Sequence, residues 1–420
     1  MLDNNKVLEY LSGSTIYEVN LRQFTQKGDI NSFMEHLPRL KKMGVSIIWL
    51  MPIHPIGIKN RKGSLGSYYC SRNFFDLNEE YGTKSDFKKL VTAVHDSGMK
   101  IIIDWVANHA AWDNNWTLTN PDFFLRDDQG EFISPYDWTD VIQIDHNNEA
   151  AHDAMRNAMC YWVNEFNIDG FRADLAHLTP LRFWIKARTL TEQIKPDLIW
   201  LAETEEIDYY QAFDIFYAWK WMHKTASFFK ENQALPSLIN LLNEEKEFYP
   251  EKALQMFFTS NHDENSWNGT EYEKYGVYAK ALSVFSFFYP SSVPLIYSGQ
   301  EMPNYKRLNF FDKDEIVWKN ECELQEFYSI LIHQRKKYNS GDDFYFITTN
   351  EKLLAFKRGS GIGSLLVFLN LDHKNIELNY HHSGEFGEYI NIFDGENGYK
   401  NNQVNLVLGP GDFLVLEKVD

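Results

Sequence analysis

Eight short apolar runs, each followed by an amphipathic stretch, constrain this chain more than any other feature. The runs are Thr15–Val19, Val45–Leu50, Lys100–Trp105, Gly170–Asp174, Leu198–Ala202, Phe213–Tyr217, Gln255–Thr259 and Val293–Tyr297. They are continuous rather than alternating, as in VSIIWL and KIIIDW. A strand that is apolar on both faces must be covered on both, which is the condition of a parallel sheet flanked by helices. The intervening pieces have helical spacing. Within Thr83–Gly98, Phe87, Leu90, Val91 and Val94 fall at i, i+3, i+4 and i+7. Ser85 is placed to cap the start of that helix and Gly98 to stop its end. Eight strands alternating with helices predict an α/β fold, a (β/α)8 barrel of the TIM type. No repeat of fixed period competes with it.

The spacing of the runs sets the domain plan. Most strand ends are about 30 to 50 residues apart, room for a loop, a helix and a loop, but Asp104 and Asp174 are 70 apart. The excess, roughly Ala110 to Asp145, is rich in Trp, Asp, Asn and Pro and reads as a short irregular insertion after strand three. The step from Ala202 to Phe213 is tight for a crossover, which ordinarily takes about a dozen residues or more. After about Lys337 the texture changes. Ser340–Asp343 is a polar linker. Then FYFITT, KLLAFKR, SLLVFLNL, NIELNY, EYINIF, VNLVL and DFLVLEKVD follow, punctuated by NLDHKN, DGENGY and GPGD. This is the pattern of an antiparallel β-sandwich. The expected division is a catalytic barrel over 1–109 and 146–338, an inserted segment over 110–145 and a packing domain over 339–420.

Composition removes whole classes of partner. At 44% hydrophobic and 24% charged, the 420 residues can bury a large core. The 41 Lys+Arg against 59 Asp+Glu leave a formal charge of −18. That surplus of acid argues against nucleic acid and against anionic lipid, because nothing would neutralise the phosphates. Cys70, Cys160 and Cys322 are too few and too scattered for a disulfide framework or a zinc site, so they are expected as reduced thiols. No apolar run approaches ~18 residues, so no membrane span is expected. No basic-then-apolar leader is visible in MLDNNKVLEYLSGS, and the expected location is cytoplasmic, or periplasmic or secreted if a leader has been removed. Nothing in the sequence marks an oligomeric state.

In a (β/α)8 barrel the chemistry sits at the C-terminal ends of the strands. Strand three ends in DWVANH, with Asp104, Asn108 and His109. Strand four carries GFRAD, with Arg172 and Asp174. Strand five ends in LAE, with Glu203, and strand seven in SNHDEN, with His262 and Asp263. One Asp after a strand is usually a turn or a helix cap. Four such ends bringing an Arg, two His and several acids to one rim call for another reason. The set meets the needs of glycosidic cleavage, whose oxocarbenium-like transition state wants an ionised carboxylate below the ring and a protonated carboxyl at the leaving oxygen. Arg172, two residues before Asp174 on a strand, shares its face and is expected to keep it anionic. Glu203, among Trp200, Leu201 and Ala202, is expected to gain an acid's pKa by desolvation. The bland alternative for Arg172 and Asp174 is a structural ion pair.

Taken together and in order, DWVANH, GFRAD, LAE and SNHDEN resemble the four conserved segments of the α-amylase superfamily, glycoside hydrolase family thirteen. IWLMPIHPIG, LGSYYCSRNFFDLNEEYGT and PLIYSGQE fit around them, and the likeness runs from about Ile16 to the C-terminus. The resemblance implies retaining cleavage of α-1,4-glucosidic bonds in starch-derived malto-oligosaccharides. It gives Asp174 as nucleophile, Glu203 as general acid/base and Asp263 as transition-state stabiliser. It gives Arg172 as the support of Asp174, and His109, His262 and Tyr69 as contacts to the sugar at the cleavage point, with Asp104 as a further substrate-binding residue. His177 is expected to face a neighbouring subsite. The short insertion and RLNFFDKDEIVW resemble compact bacterial α-amylases. No cofactor is required. Calcium is the one ion the family pattern would bring, with Asn108 and Asp145 as its candidate ligands, but Leu178 stands where the family often has His. Asn73 likewise replaces a common Asp. An α-glucosidase or a transglycosylase would use the same triad, and an inactive carbohydrate-binding relative would be expected to have lost it. Among the aromatics, Tyr69 leads as a sugar platform, with Trp105, Trp112, Trp138 and Trp267 behind it.

Overall fold

The computed structural model describes residues 5–319, 321–339, 341–347, 352–381, 387–395 and 403–420. Ser340 of the linker, the two threonines that end FYFITT and most of DGENGY lie outside those residues. All eight apolar runs are strands: Ile16–Val19, Ile47–Leu50, Lys100–Trp105, Gly170–Ala173, Ile199–Ala202, Ile215–Tyr217, Leu254–Met256 and Leu295–Tyr297. They form one eight-stranded sheet whose order follows the chain, with the last strand beside the first, so the fold is a (β/α)8 barrel. Strands one to six pair in parallel, and almost every residue of them is buried, as continuous apolar runs require.

The chain divides into two compact units. The first comprises residues 1–8, 15–217 and 296–322, the second 9–14, 218–295 and 323–420. In the first, the stretch after strand two folds as the helix Lys84–Asp96, which buries Phe87, Leu90, Val91 and Val94. Each of those side chains contributes roughly 1.5–3 kcal/mol of burial. Its cap is Thr83, not Ser85. Thr83 accepts from the N–H of Asp86 while the Asp86 carboxylate accepts from Thr83, a reciprocal capping box. Gly98, at φ +76, ends it as expected.

Two details position the site. Gly170 opens strand four at φ +150, and a Cβ there would lie 2.0 Å from the carbonyl oxygen of Ile199 on strand five. Only glycine lets these two strands approach so closely. The tight step between strands five and six is solved by a later start. Strand six begins at Ile215, two residues beyond Phe213, and a 3-10 turn over Ile207–Gln211 makes the crossover. Asp214 is used as a pin. Its carboxylate accepts from the Trp200 N–H at 3.0 Å and from Arg188 Nη2 at 2.9 Å. The segment after strand three has a two-stranded neck, His109–Ala111 against Val141–Gln143.

In the second unit, five strands run in the order Phe344–Ile347, Leu353–Arg358, Leu365–Asn370, Phe413–Lys418, Tyr389–Asn391. A separate pair, Ile376–His381 and Gln403–Leu408, packs over them. Leu366, Phe368 and Leu416 of the first sheet share one core with Ile376, Leu378 and Val404 of the second, which makes the β-sandwich. Among the described residues, no helix is long and apolar enough to cross a membrane.

Candidate active site

Strand register places the first charges. Asp104 on strand three is the direct neighbour of Arg172 on strand four, and Arg172 of Leu201 on strand five. Past the strand ends, the Asp174 N–H donates to the Trp105 carbonyl and the Glu203 N–H to the Ala173 carbonyl. The ladder therefore carries each carboxylate up to the rim.

Arg172 organises the cluster and is fully buried. Its Nη1 donates to Asp104 Oδ1 at 2.9 Å and to Asp174 Oδ1 at 2.9 Å. Its Nη2 lies 2.8 Å from Glu203 Oε2. Its Nε donates to the Tyr217 hydroxyl at 3.1 Å. Burial alone would lower its pKa. The charges of Asp104 and Glu203 outweigh burial, so the guanidinium is held well above its usual value. Three rings surround the cation, with Trp49 at 5.1 Å, Tyr217 at 5.6 Å and Tyr69 at 5.8 Å from its carbon.

Asp104 also accepts from Trp49 Nε1 at 3.2 Å and from the Tyr69 hydroxyl at 3.1 Å. That bond orients the Tyr69 ring, which stacks on Phe310 at 13°. Glu203 is 6% exposed, as its apolar neighbours predict, but it is not surrounded by apolar groups alone. Besides Arg172, the Leu175 N–H donates to its Oε2 at 2.8 Å. Leu175 can aim that N–H because its backbone is left-handed, at φ 39 and ψ 52. Such a conformation is unfavourable for a branched side chain and is typical of functional sites.

The remaining expected residues fall into three groups. His109 is buried, its ring edge-on to Trp138, and burial pulls its pKa down to about 4. His177 lies exposed on a 3-10 turn, with its carbonyl accepting from the Tyr209 hydroxyl. His262 and Asp263 follow strand seven in the second unit, 3.2 Å apart, and open a π-helical turn over Glu264–Asn268. π-turns are rare and frequent at functional sites.

One expectation needs correction. Trp105 is fully buried among His54, Phe74 and Phe171 and has no face for a sugar. Asn73 turns its Oδ1 back on the Phe75 N–H at 3.0 Å. Trp49 and Tyr217 join the site without a sequence signal of their own. Both sit at strand ends, where the rule that found Asp104 applies, but inside apolar runs they read as core.

The side chains of both calcium candidates have neighbours of their own. The Asn108 amide faces two imidazoles, His146 and His109, each at 3.4 Å. Asp145 Oδ1 is engaged by the Asn147 N–H at 2.9 Å. Calcium takes six to eight oxygens, and the partners the Asn108 amide meets here are ring nitrogens. Among the described residues no group of three or more His, Cys, Asp or Glu is placed to hold a metal ion.

A barrel with carboxylates gathered at its C-terminal rim has the groups that glycosidic cleavage needs. The profile of the α-amylase catalytic domain matches residues 12–140 and 123–343, and the chain belongs to that family, one of α-glucan hydrolases and transglycosylases. Alpha-amylase 2 of Dictyoglomus thermophilum is 26% identical, over 96% of this chain and 73% of its own length. MalA of Haloarcula japonica is also 26% identical, and the chain spans 55% of that protein. Among solved structures, a maltogenic α-amylase from Thermotoga neapolitana is 32% identical with a TM-score of 0.86, over 98% of this chain and 100% of that one. An α-amylase from Lactobacillus plantarum superposes with a TM-score of 0.89 at 26% identity, over 98% and 100% of the two chains.

Proposed function

We propose that this glycosidase cleaves α-1,4-glucosidic bonds of malto-oligosaccharides with retention, and that Asp174 is its nucleophile and Glu203 its acid/base. The observation that carries this is the sharing of one guanidinium: Nη1 meets Asp174 and Nη2 meets Glu203. Retention needs two carboxyls about 5–5.5 Å apart, and inversion needs them wider. Two carboxylates on the two Nη atoms of a single Arg favour the narrow case.

In the first step Asp174 bonds to the anomeric carbon as the glycosidic C–O bond breaks. Glu203 gives its proton to the departing oxygen. That proton belongs on Oε1, since Oε2 accepts from Leu175 and faces Arg172. Water then attacks the same carbon, releases Asp174 and returns a proton to Glu203. Asp104 and Tyr69 hold the floor, and His109, His262 and Asp263 grip sugar hydroxyls. The part of Asp263 rests on the order of the four segments. No cofactor enters the scheme.

A second reading has support. A maltosyltransferase of Picrophilus torridus is 25% identical over 89% of this chain. There a sugar hydroxyl would replace water against the same intermediate. Glu203→Gln is expected to slow reducing-sugar release from maltoheptaose by about 10²- to 10⁴-fold. Equal rates would sink the assignment. Proton NMR of the first product should show the α-anomer, and a β-anomer would exclude retention. Longer products appearing from maltoheptaose would favour transfer over hydrolysis.

A further inference from the structure

The π-helical turn that Asp263 opens is held by a buried ion pair that takes no part in the reaction scheme. Glu264 directly follows Asp263, and Lys274 lies in the short helix Glu271–Tyr275. Lys274 Nζ meets Glu264 Oε2 at 2.8 Å, and the two side chains are 9% and 4% exposed. The other oxygen, Oε1, accepts from Asn268 Nδ2 at 2.8 Å, at the far end of the turn. The Glu264 backbone is engaged as well. Its N–H donates to Asn261 Oδ1 at 2.8 Å, and its carbonyl accepts from the Gly269 N–H at 2.9 Å. One residue therefore clasps the turn from both ends.

Stability alone gives little reason to bury such a pair. Burial pulls the Lys274 pKa down, while Glu264 and Glu271 raise it. Well-packed apolar residues of the same volume often serve stability as well or better. What the pair supplies is direction. Its lysine comes from a helix that is fixed independently, by a reciprocal capping box between Thr270 and Glu273. The same helix also holds the chain ahead of the turn, because Glu271 Oε2 accepts from Thr259 Oγ1 at 2.6 Å. His262 and Asp263 thus stand between two anchored points, Thr259 before them and Glu264 after them.

We infer that Glu264 and Lys274 are positioning residues for the reaction: their pair fixes the π-turn and, through it, the backbone that presents His262 and Asp263. This rests on the proposed part of Asp263 in the transition state. The test is a double-mutant cycle on kcat with maltoheptaose, in which Asp263→Asn sets the reference. Lys274→Met removes the charge and keeps the length of the stem. Assayed well below its Tm, it is expected to lower kcat about 10- to 10²-fold with KM little changed, as a small misplacement does. In the Asp263→Asn background the same change should add little, because it acts through Asp263. Asn268→Ala, an exposed change that frees Oε1, should give a smaller loss of the same kind, and it carries the test if Lys274→Met does not fold. Lower stability with wild-type kcat overturns the proposal, and so does a loss of equal size in both backgrounds. Asp263→Asn with wild-type kcat would instead remove the part of Asp263, and the proposal with it. Hydrogen exchange reads the turn without substrate. The Gly269 N–H should lose protection in Lys274→Met and in Asn268→Ala. Unchanged protection overturns the clamp, even if wild type turned over no maltoheptaose.

Discussion

Arg172, itself fully buried, shares its guanidinium among three carboxylates, so deleting it does more than remove one pair. It would leave Asp104, Asp174 and Glu203 facing one another without a cation. Removing one partner of a buried ion pair typically costs about 3–5 kcal/mol. Arg172→Leu is expected to fall in or above that range in urea unfolding. Arg172→Lys should rescue little, because Nη1, Nη2 and Nε point to different partners and an ammonium is a single point. A lysine variant with wild-type stability would show that the three contacts are not individually needed. The residues of this cluster divide by how far each was legible in sequence. Asp104, Arg172, Asp174 and Glu203 are charged residues at the ends of apolar runs, and charge there has few structural uses. Trp49, Tyr217, Phe310 and Leu175 were not legible. Trp49 and Tyr217 look like core, Phe310 arrives from a distant loop, and the contribution of Leu175 is a backbone N–H, which carries no side-chain signature.

Strands and helices were legible in existence and missed in detail. The helix Lys84–Asp96 follows its apolar spacing, whereas its cap shifted from Ser85 to Thr83. A hydroxyl caps only from the extended residue just before the first turn, and Thr83 has that backbone, at φ −102 and ψ 161. Thr83→Ala should cost about 1 kcal/mol. Ser85→Ala should stay within about 0.5 kcal/mol. The reverse order in thermal unfolding would return the cap to Ser85. Gly170 makes a harsher case. Methylating it drives a carbon into the Ile199 carbonyl, backbone against backbone, and neither strand can retreat without moving Arg172 or Glu203. Gly170→Ala is expected to cost at least about 1–3 kcal/mol and to lower activity with stability. Wild-type Tm and rate together would refute that role. The step between strands five and six shows why length rules mislead at their limit. Residues 203–214 cross with one 3-10 turn because Asp214 and Phe213 act as a packed plug rather than as strand.

At the scale of the whole molecule, acid stability offers a check that no single contact provides. His54 is enclosed by Phe74, Trp105 and Trp162, and burial pulls its pKa down to about 3. Burial likewise holds His109 at about 4, and His146, which also lies beside His152, at about 4. In the unfolded chain each returns to about 6.5. Between about pH 4 and 6.5 the unfolded state therefore binds protons that the folded state refuses. Stability must rise with pH across that window and be lost as pH falls, by about 1.4 kcal/mol per pH unit for each such group. Carboxylates depressed by their partners, such as Asp169, act in the same direction but at lower pH. The histidine share is isolated by His54→Leu, which keeps the volume and removes the titration. The variant's absolute stability can shift either way, so the slope is what decides. Urea unfolding at pH 5, 5.5 and 6 should give the variant a slope shallower than wild type by about 1.4 kcal/mol per pH unit. Parallel lines would mean that His54 takes up its proton without opening the barrel, and would remove the apolar enclosure as the cause of its depressed pKa.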